Sequence, residues 1–212
     1  MFEKIKTILY TLMFVFIVTF VGSIWYTYNN GIAKEQEQFS TEVAETLEEI
    51  TRWEKPDFER ANNQTFINSV GQCVNYIYNT TTDVYPVNFE LLLAQAALES
   101  AWGNSRFALE GKNLFGIRTY DLTEPHMLPS NNPKKWGVRV YMHECDSVQH
   151  YIDILNNGGA FEEYRELRDN GETDSLVLVN TLGAYASDEH YFGKVTRIIK
   201  MLREDYDIPV IK

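Results

Sequence analysis

The chain is poor in cysteine and in basic residues. Cys73 and Cys145 are the only cysteines among its 212 residues, and neither lies in a CxxC or Cys/His pattern, which argues against a metal site. Its 19 Lys and Arg are outnumbered by 30 Asp and Glu, which gives a net charge of −11, and no basic stripe is present. Because nucleic-acid binding depends on clustered basic side chains, this composition argues against a nucleic-acid partner.

Charged residues are also missing from Ile8 to Trp25. A membrane-spanning helix needs roughly 20 mostly apolar residues, and this stretch fulfils that requirement. Lys4 and Lys6 precede it and acidic residues follow it, so the positive-inside rule leaves the N-terminus in the cytoplasm. A cleaved signal peptide is the alternative, but its apolar region is usually shorter. We therefore predict a cytoplasmic tip and an uncleaved transmembrane anchor over residues 1–28, which places the rest on the periplasmic or extracellular side of the cytoplasmic membrane.

The location outside the cytoplasm bears on the two cysteines. Thiols can pair in such an oxidising compartment, so a disulfide between Cys73 and Cys145 is one interpretation. The other is that both are small buried apolar residues, and the sequence does not decide between the two.

Two further segments follow the predicted anchor. Residues 29–55 are acidic and rich in helix formers, which predicts a helical stalk or a linker, and residues 56–212 form the predicted globular domain. In that domain the apolar spacing is mostly helical. The stretches "LFGIRTYD" and "KKWGVRVYM" are typical of strands, and a polar loop with three prolines separates them. The sequence therefore predicts a mostly α-helical domain with one small β-hairpin.

One predicted helix, Leu91–Trp102, is apolar on nearly every side but carries a single acid, Glu99. At about 100° per residue, Gln95 lies on the same face as Glu99, and Trp102 lies beside them. A carboxyl group among apolar side chains is poorly solvated, which raises its pKa and suits a general acid. The alternative is a narrow solvent-facing strip on the helix, which the helical wheel alone does not exclude.

Four blocks in order extend this interpretation: "AQAALESAWGNS", "NLFGI", "WGVRVY" leading into "DSVQHYIDIL", and "YASDEHYFGKV". Together they span about residues 60–208 and resemble the bacterial glucosaminidases of glycoside hydrolase family 73, most closely the Bax-like membrane-associated members. The last block reads "YASDEHY" where "YATDPxY" is commoner. The resemblance implies a lysozyme-like helical lobe facing a small β-hairpin lobe across a groove. It also implies an endo-β-N-acetylglucosaminidase that cleaves the β-1,4 bond after N-acetylglucosamine in peptidoglycan glycan strands.

The resemblance also implies roles for individual residues. Glu99 matches the family's catalytic acid, and Tyr185 would lie near the cleaved bond. Glycoside hydrolysis usually needs a second carboxylate, which in the family lies in the β-hairpin region. We choose Glu124 for that role and keep Asp121 second, with assistance by the substrate's own N-acetyl group as a further alternative.

The predicted substrate-binding residues follow from the helix face, the matched blocks and the exposed aromatic candidates. They are Gln95, Trp102, Asn113, Phe115, Tyr120, Asp188 and Tyr191. No metal or cofactor is expected, and the expected partners are peptidoglycan and, through the N-terminal helix, a membrane. Two alternatives remain open: a muramidase or lytic transglycosylase on the same scaffold, and a cell-wall-binding protein without activity.

Overall fold

The computed structural model describes residues 2–52, 54–130, 135–183, 185 and 188–211, apart from the side chains of 2–12, 14, 15 and 47–52. The chain forms two compact units, Met1–Arg52 and Trp53–Lys212. The first unit is one helix, α1 (Phe2–Arg52), so the predicted stalk is helical as far as Arg52. Among the described residues, no helix has both the length and the apolar character needed to cross a membrane. Part of the predicted anchor, residues 1–12, 14 and 15, lies outside the residues whose side chains are described.

The second unit is mostly helical, as predicted, and polar side chains cap the first turns of α2, α3, α4, α5 and α7. Asn88 accepts a hydrogen bond from the Leu91 amide at the start of α3, as asparagine commonly does at a helix N-terminus. His143 caps α5, and its ring nitrogen accepts a hydrogen bond from the Cys145 amide. The helices of this unit are α2 (Asn63–Thr80), α3 (Phe89–Ser100), α4 (Arg106–Gly111), α5 (Glu144–Asn157), α6 (Glu162–Asp169), α7 (Ser175–Leu178) and α8 (Tyr191–Asp205).

A small antiparallel sheet forms the second lobe. Its described strands are β1 (Arg118–Thr119), β2 (His126–Met127) and β3 (Gly137–Arg139), in the order β1-β3-β2. The pairing of β1 with β3 confirms the hairpin predicted from "LFGIRTYD" and "KKWGVRVYM". Strand β2, which pairs with the other edge of β3, was not predicted because its residues lie in a polar loop containing prolines. The central strand β3 requires glycine at position 137, because a Cβ atom on Gly137 would lie 2.5 Å from the His126 ring.

The core is built around α3, whose apolar residues are buried on nearly every side, as the wheel predicts. Helix α3 packs against α8, and α2 packs against α5. A disulfide joins Cys73 of α2 to Cys145 of α5, which decides between the two interpretations of the cysteines. These helices therefore hold the end of α3, where Glu99 lies, in a fixed frame.

Candidate active site

Glu99 lies in the last turn of α3 and is half-buried. Burial raises the pKa of its carboxyl group, and a hydrogen bond from Tyr191 and the positive charges of Arg118 and Lys194 act in the opposite direction. Desolvation is the largest of these effects, so the protonated form of Glu99 is favoured relative to an ordinary glutamate. The environment predicted from the apolar helix is therefore confirmed for this side chain.

A buried chain of hydrogen bonds leads to Glu99. The Tyr151 hydroxyl donates to Oε1 of Gln95, and Nε2 of Gln95 donates to the Tyr191 oxygen over 2.7 Å. Tyr191 in turn bonds to the Glu99 carboxyl group. Gln95 and Tyr151 are completely buried and Tyr191 is 4% exposed, so the chain lies behind Glu99 and within the core.

A stack of aromatic rings packs beside this chain. Tyr185 stacks on Tyr191 with ring centroids 5.8 Å apart, and Phe115 stacks on Tyr151 with centroids 4.1 Å apart. The Tyr185 hydroxyl donates a hydrogen bond of 2.8 Å to the Phe115 carbonyl oxygen. The "NLFGI" block and the C-terminal "YASDEHY" block, which are far apart in the sequence, therefore meet next to the acid.

The side chain of Asn113 stabilises the "NLFGI" turn, because both its amide nitrogen and its amide oxygen form hydrogen bonds with backbone groups. Its Nδ2 donates to the carbonyl oxygens of Ile117 and Arg139, each at 2.9 Å, and its Oδ1 accepts from the Phe115 and Ile117 amides. Gly116 in this turn has φ +65°, a conformation that glycine adopts readily, and a Cβ there would lie 3.8 Å from Oε2 of Glu99. The turn therefore brings bare backbone close to the acid.

The candidate second carboxylates are both on the β lobe, in different surroundings. Glu124 is half-buried, accepts a hydrogen bond of 2.8 Å from the Thr119 hydroxyl and pairs with Arg139 at 2.6 Å. Asp121 is exposed, and hydrogen bonds from Thr123 hold the pKa of its carboxyl group below the usual value. Glu124 is therefore the acid that is anchored to the strands, while Asp121 is engaged in its own turn.

Four of the predicted substrate-binding residues are placed differently from expectation. Gln95, Asn113 and Phe115 are buried. The amides of Gln95 and Asn113 are hydrogen-bonded to other protein groups and the Phe115 ring stacks on Tyr151, so these residues support the site without facing the substrate. Trp102 lies beyond the end of α3, so the helical spacing from Glu99 does not apply to it: α3 ends at Ser100, and Ala101 and Trp102 both adopt left-handed conformations. Its ring packs against Phe66 and Tyr206 instead.

The remaining predicted residues lie at the surface or at the edge of the site. Tyr120 is 73% exposed on the β lobe. Asp188 is exposed, pairs with Lys194 at 2.6 Å and accepts a hydrogen bond from the His190 amide. The positive charge of Lys194 also lowers the pKa of Glu99, so Asp188, its ion-pair partner, lies at the charged edge of the site.

Three residues near Glu99 were not predicted as part of the site. Arg118 lies over the Trp136 ring, with its guanidinium carbon 4.1 Å from the ring centroid. Arg118 and Lys194 both act electrostatically on Glu99, and Tyr151 begins the buried hydrogen-bond chain. Tyr151 could have been found from the sequence, because it is a tyrosine on the apolar face of the amphipathic α5. Arg118 and Lys194 could not, because only the folded structure brings these cations near Glu99.

The fold and the sequence of the chain are similar to those of solved and curated proteins. The chain superimposes on the catalytic domain of the autolysin Auto from Listeria monocytogenes with a TM-score of 0.52 and 26% identity, covering 71% of this chain and 87% of that domain. It is 25% identical over 176 residues to the exo-glucosaminidase LytG of Bacillus subtilis strain 168, covering 78% of this chain and 59% of LytG. It is 32% identical over 125 residues to the peptidoglycan hydrolase FlgJ of Vibrio parahaemolyticus, covering 51% of this chain and 38% of FlgJ.

The chain therefore spans less than two thirds of the length of each of these two curated relatives. The profile of one protein family, described as mannosyl-glycoprotein endo-beta-N-acetylglucosaminidase, matches residues 75–204. The match includes α3 with Glu99, the "NLFGI" turn, the β lobe and most of α8. The chain is thus a member of this glucosaminidase family of glycoside hydrolases.

Proposed function

We propose that this chain is a peptidoglycan hydrolase that cleaves the β-1,4 bond after N-acetylglucosamine within glycan strands. The observation that carries the proposal is the half-buried Glu99 carboxyl group, with its raised pKa and its hydrogen bond to Tyr191, beside the backbone of the "NLFGI" turn. The substrate class is that named for the relative FlgJ, a peptidoglycan hydrolase, and the sugar specificity is that named for the glucosaminidase LytG.

In this proposal Glu99 is the general acid. Its proton passes to the glycosidic oxygen as the bond from that oxygen to the anomeric carbon breaks, so the departing sugar leaves as a neutral alcohol. A raised pKa keeps the proton on Glu99 at a higher pH than for an exposed glutamate. The hydrogen bond from Tyr191 then stabilises the carboxylate that remains.

Glu124 is the proposed second carboxylate. Its carboxyl group pairs with Arg139, and a carboxylate is the group needed either to attack the anomeric carbon or to activate a water molecule. Its bonds to Arg139 and Thr119 fix it to the β lobe, so movement of that lobe on substrate binding would carry Glu124 with it. Tyr120, exposed on the same lobe, is the proposed sugar platform.

We further propose that α1 anchors the enzyme at the cytoplasmic membrane, with the catalytic unit outside the cytoplasm. The support is the uncharged stretch from Ile8 to Trp25, together with the exposed apolar side chains of its described part, such as Phe16 and Val21. The disulfide between Cys73 and Cys145 also fits an oxidising compartment. Detection of the chain in the membrane fraction after a high-salt wash tests the anchor, and its release by salt would contradict it.

Digestion of purified peptidoglycan by the full-length chain tests the activity. Mass spectrometry of the released muropeptides should show N-acetylglucosamine at the new reducing ends. Reducing N-acetylmuramic acid would indicate a muramidase, and 1,6-anhydro ends would indicate a lytic transglycosylase. Long internal fragments distinguish an endo-acting enzyme from the exo-acting activity named for LytG. Binding to the wall without soluble fragments would overturn the enzymatic proposal.

A further inference from the structure

Gln95 is a completely buried amide one helical turn before Glu99, and both ends of its side chain are hydrogen-bonded. Buried polar groups of this kind are retained when they are fully satisfied, and the network that satisfies them becomes rigid. Gln95 touches two tyrosines from different helices, Tyr151 of α5 and Tyr191 of α8. It therefore connects three helices at a point that no sugar can reach.

The direction of each bond follows from the number of protons available. An amide nitrogen only donates and an amide oxygen only accepts, so the Tyr151 hydroxyl, by donating to Oε1, defines which way the Gln95 amide is turned. Nε2 must then donate to the Tyr191 oxygen, which it does over 2.7 Å. The single hydroxyl proton of Tyr191 is thereby left for Glu99. With the amide turned over, the Gln95 oxygen would take that proton and Glu99 would lose its donor.

We propose that Gln95 is a positioning residue that acts through Tyr191 to fix the direction of the hydrogen bond received by Glu99. One Glu99 oxygen is occupied as an acceptor from Tyr191, so the acid's proton resides on the other oxygen, which is the one that delivers it to the glycosidic oxygen. The inference rests on the proposed role of Glu99 and adds the residues that orient it. Gln95 is therefore expected to affect the catalytic step and not the binding of the glycan.

The electrostatic surroundings of Glu99 decide how the test is read. Among the described residues, the charged or titratable groups acting on Glu99 or responding to it are Tyr191 and Lys194 of α8, Arg118 of β1, Tyr151 of α5 and Tyr185. Burial raises the pKa of all three tyrosines, so they stay protonated through the neutral range. The pH profile near neutrality therefore reports on Glu99 and its partner carboxylate.

The decisive experiment measures kcat, KM and the pH profile of kcat/KM for the full-length chain and for Gln95→Met, which keeps the volume but removes both hydrogen bonds. We expect kcat to fall about tenfold or more, the loss of one charge-assisted hydrogen bond, with KM unchanged. The alkaline limb of the profile should move to higher pH, because the bond from Tyr191 lowers the pKa of Glu99. Tyr191→Phe should move the limb in the same direction.

A double variant and a matched control separate positioning from simple stability. Gln95→Met with Tyr191→Phe should be no slower than Tyr191→Phe alone, because Gln95 acts only through that hydroxyl. Tyr164→Phe also removes a buried tyrosine hydroxyl, which here bonds to the Asn88 amide at the opposite end of α3, and should leave the pH profile unchanged. A profile of Gln95→Met identical to wild type, or fully additive losses in the double variant, would overturn the inference.

Gln95→Glu supplies a second test should the Met variant fold poorly. A protonated glutamate has one donor and one acceptor, like the amide, whereas its carboxylate accepts from both tyrosines and withdraws the Tyr191 proton from Glu99. The activity of Gln95→Glu relative to wild type should therefore fall as pH rises, and a constant ratio would contradict the inference. An inactive wild-type chain would instead refute the proposed function itself, so the two failures are distinguishable.

Discussion

The Tyr185 hydroxyl donates a 2.8 Å hydrogen bond to the Phe115 carbonyl oxygen, 70 positions earlier in the chain. This bond joins the C-terminal block to the turn that lies against Glu99, and the Tyr185 ring stacks on Tyr191, which bonds to the acid. The surroundings of the proposed acid are therefore built from distant segments that each contribute both a ring and a polar group.

Tyr185→Phe removes this bond while keeping the ring. The Phe115 carbonyl would lose its donor in a buried setting, so we expect the free energy of unfolding to fall by about 1–3 kcal/mol in urea titrations. Tyr120→Phe is the matched control, because its hydroxyl lies on a 73% exposed side chain, and its unfolding midpoint should equal that of wild type. If Tyr185→Phe and Tyr120→Phe both had the unfolding free energy of wild type, the hydrogen bond to Phe115 would contribute nothing to stability.

Glu99→Gln should reduce lysis of purified peptidoglycan by roughly 100-fold or more, because a general acid commonly contributes that much. It should also stabilise the fold at neutral pH. Burial raises the pKa of Glu99, so the folded state holds the proton more tightly than the unfolded chain. Ionisation therefore destabilises the fold as pH rises from the unfolded-state pKa through the higher folded-state pKa.

The stability gain of Glu99→Gln should accordingly vanish at low pH. Below about pH 3 both states of wild type are protonated, so the melting temperatures of variant and wild type should converge there and separate as pH rises. Thermal melts across this range check the sign of the effect. A variant that melts below wild type at neutral pH would show that the Glu99 carboxylate stabilises the fold.

Glu124→Gln should lower kcat by roughly 100-fold or more if the β-lobe acid is the second carboxylate. Asp121→Asn is its matched control on the same lobe, since Asp121 is exposed and bonded to Thr123. We expect the control to keep nearly full activity. The reverse ranking would assign the role to Asp121, and full activity in both variants would point to assistance by the substrate's N-acetyl group.

Reduction of the disulfide between Cys73 and Cys145 should destabilise the catalytic unit. The bond closes a loop of 72 residues, which in the chain-entropy account corresponds to about 4 kcal/mol of stability. Thermal melts with and without dithiothreitol measure this effect. A Cys73→Ser/Cys145→Ser variant should have the melting temperature of the reduced wild type, whether or not dithiothreitol is present. An identical melting temperature for oxidised and reduced wild type would contradict the expectation.

Much of this architecture could be predicted from local patterns. The apolar residues of α3 surround the helix, so the burial of that helix follows from its composition, and the structure adds that burial raises the pKa of its one acid in the last turn, Glu99. The Asn88 cap, the short α4 and the pairing of β1 with β3 also follow from short-range signals. Strand β2 did not, because two residues in a proline-containing loop carry no periodic signal and are defined by pairing with β3 alone.

The amino-acid sequence by itself determined the helical class, the single acid on an apolar helix and the matched family blocks, since each depends on residue types at short spacing. Only the tertiary structure decided the partners of that acid. It turned Trp102 away through a left-handed helix end, buried Gln95 between two tyrosines and brought Arg118 and Lys194 towards Glu99. Such contacts join residues on separate elements, and their distances depend on how α3, α5, α8 and the sheet pack together.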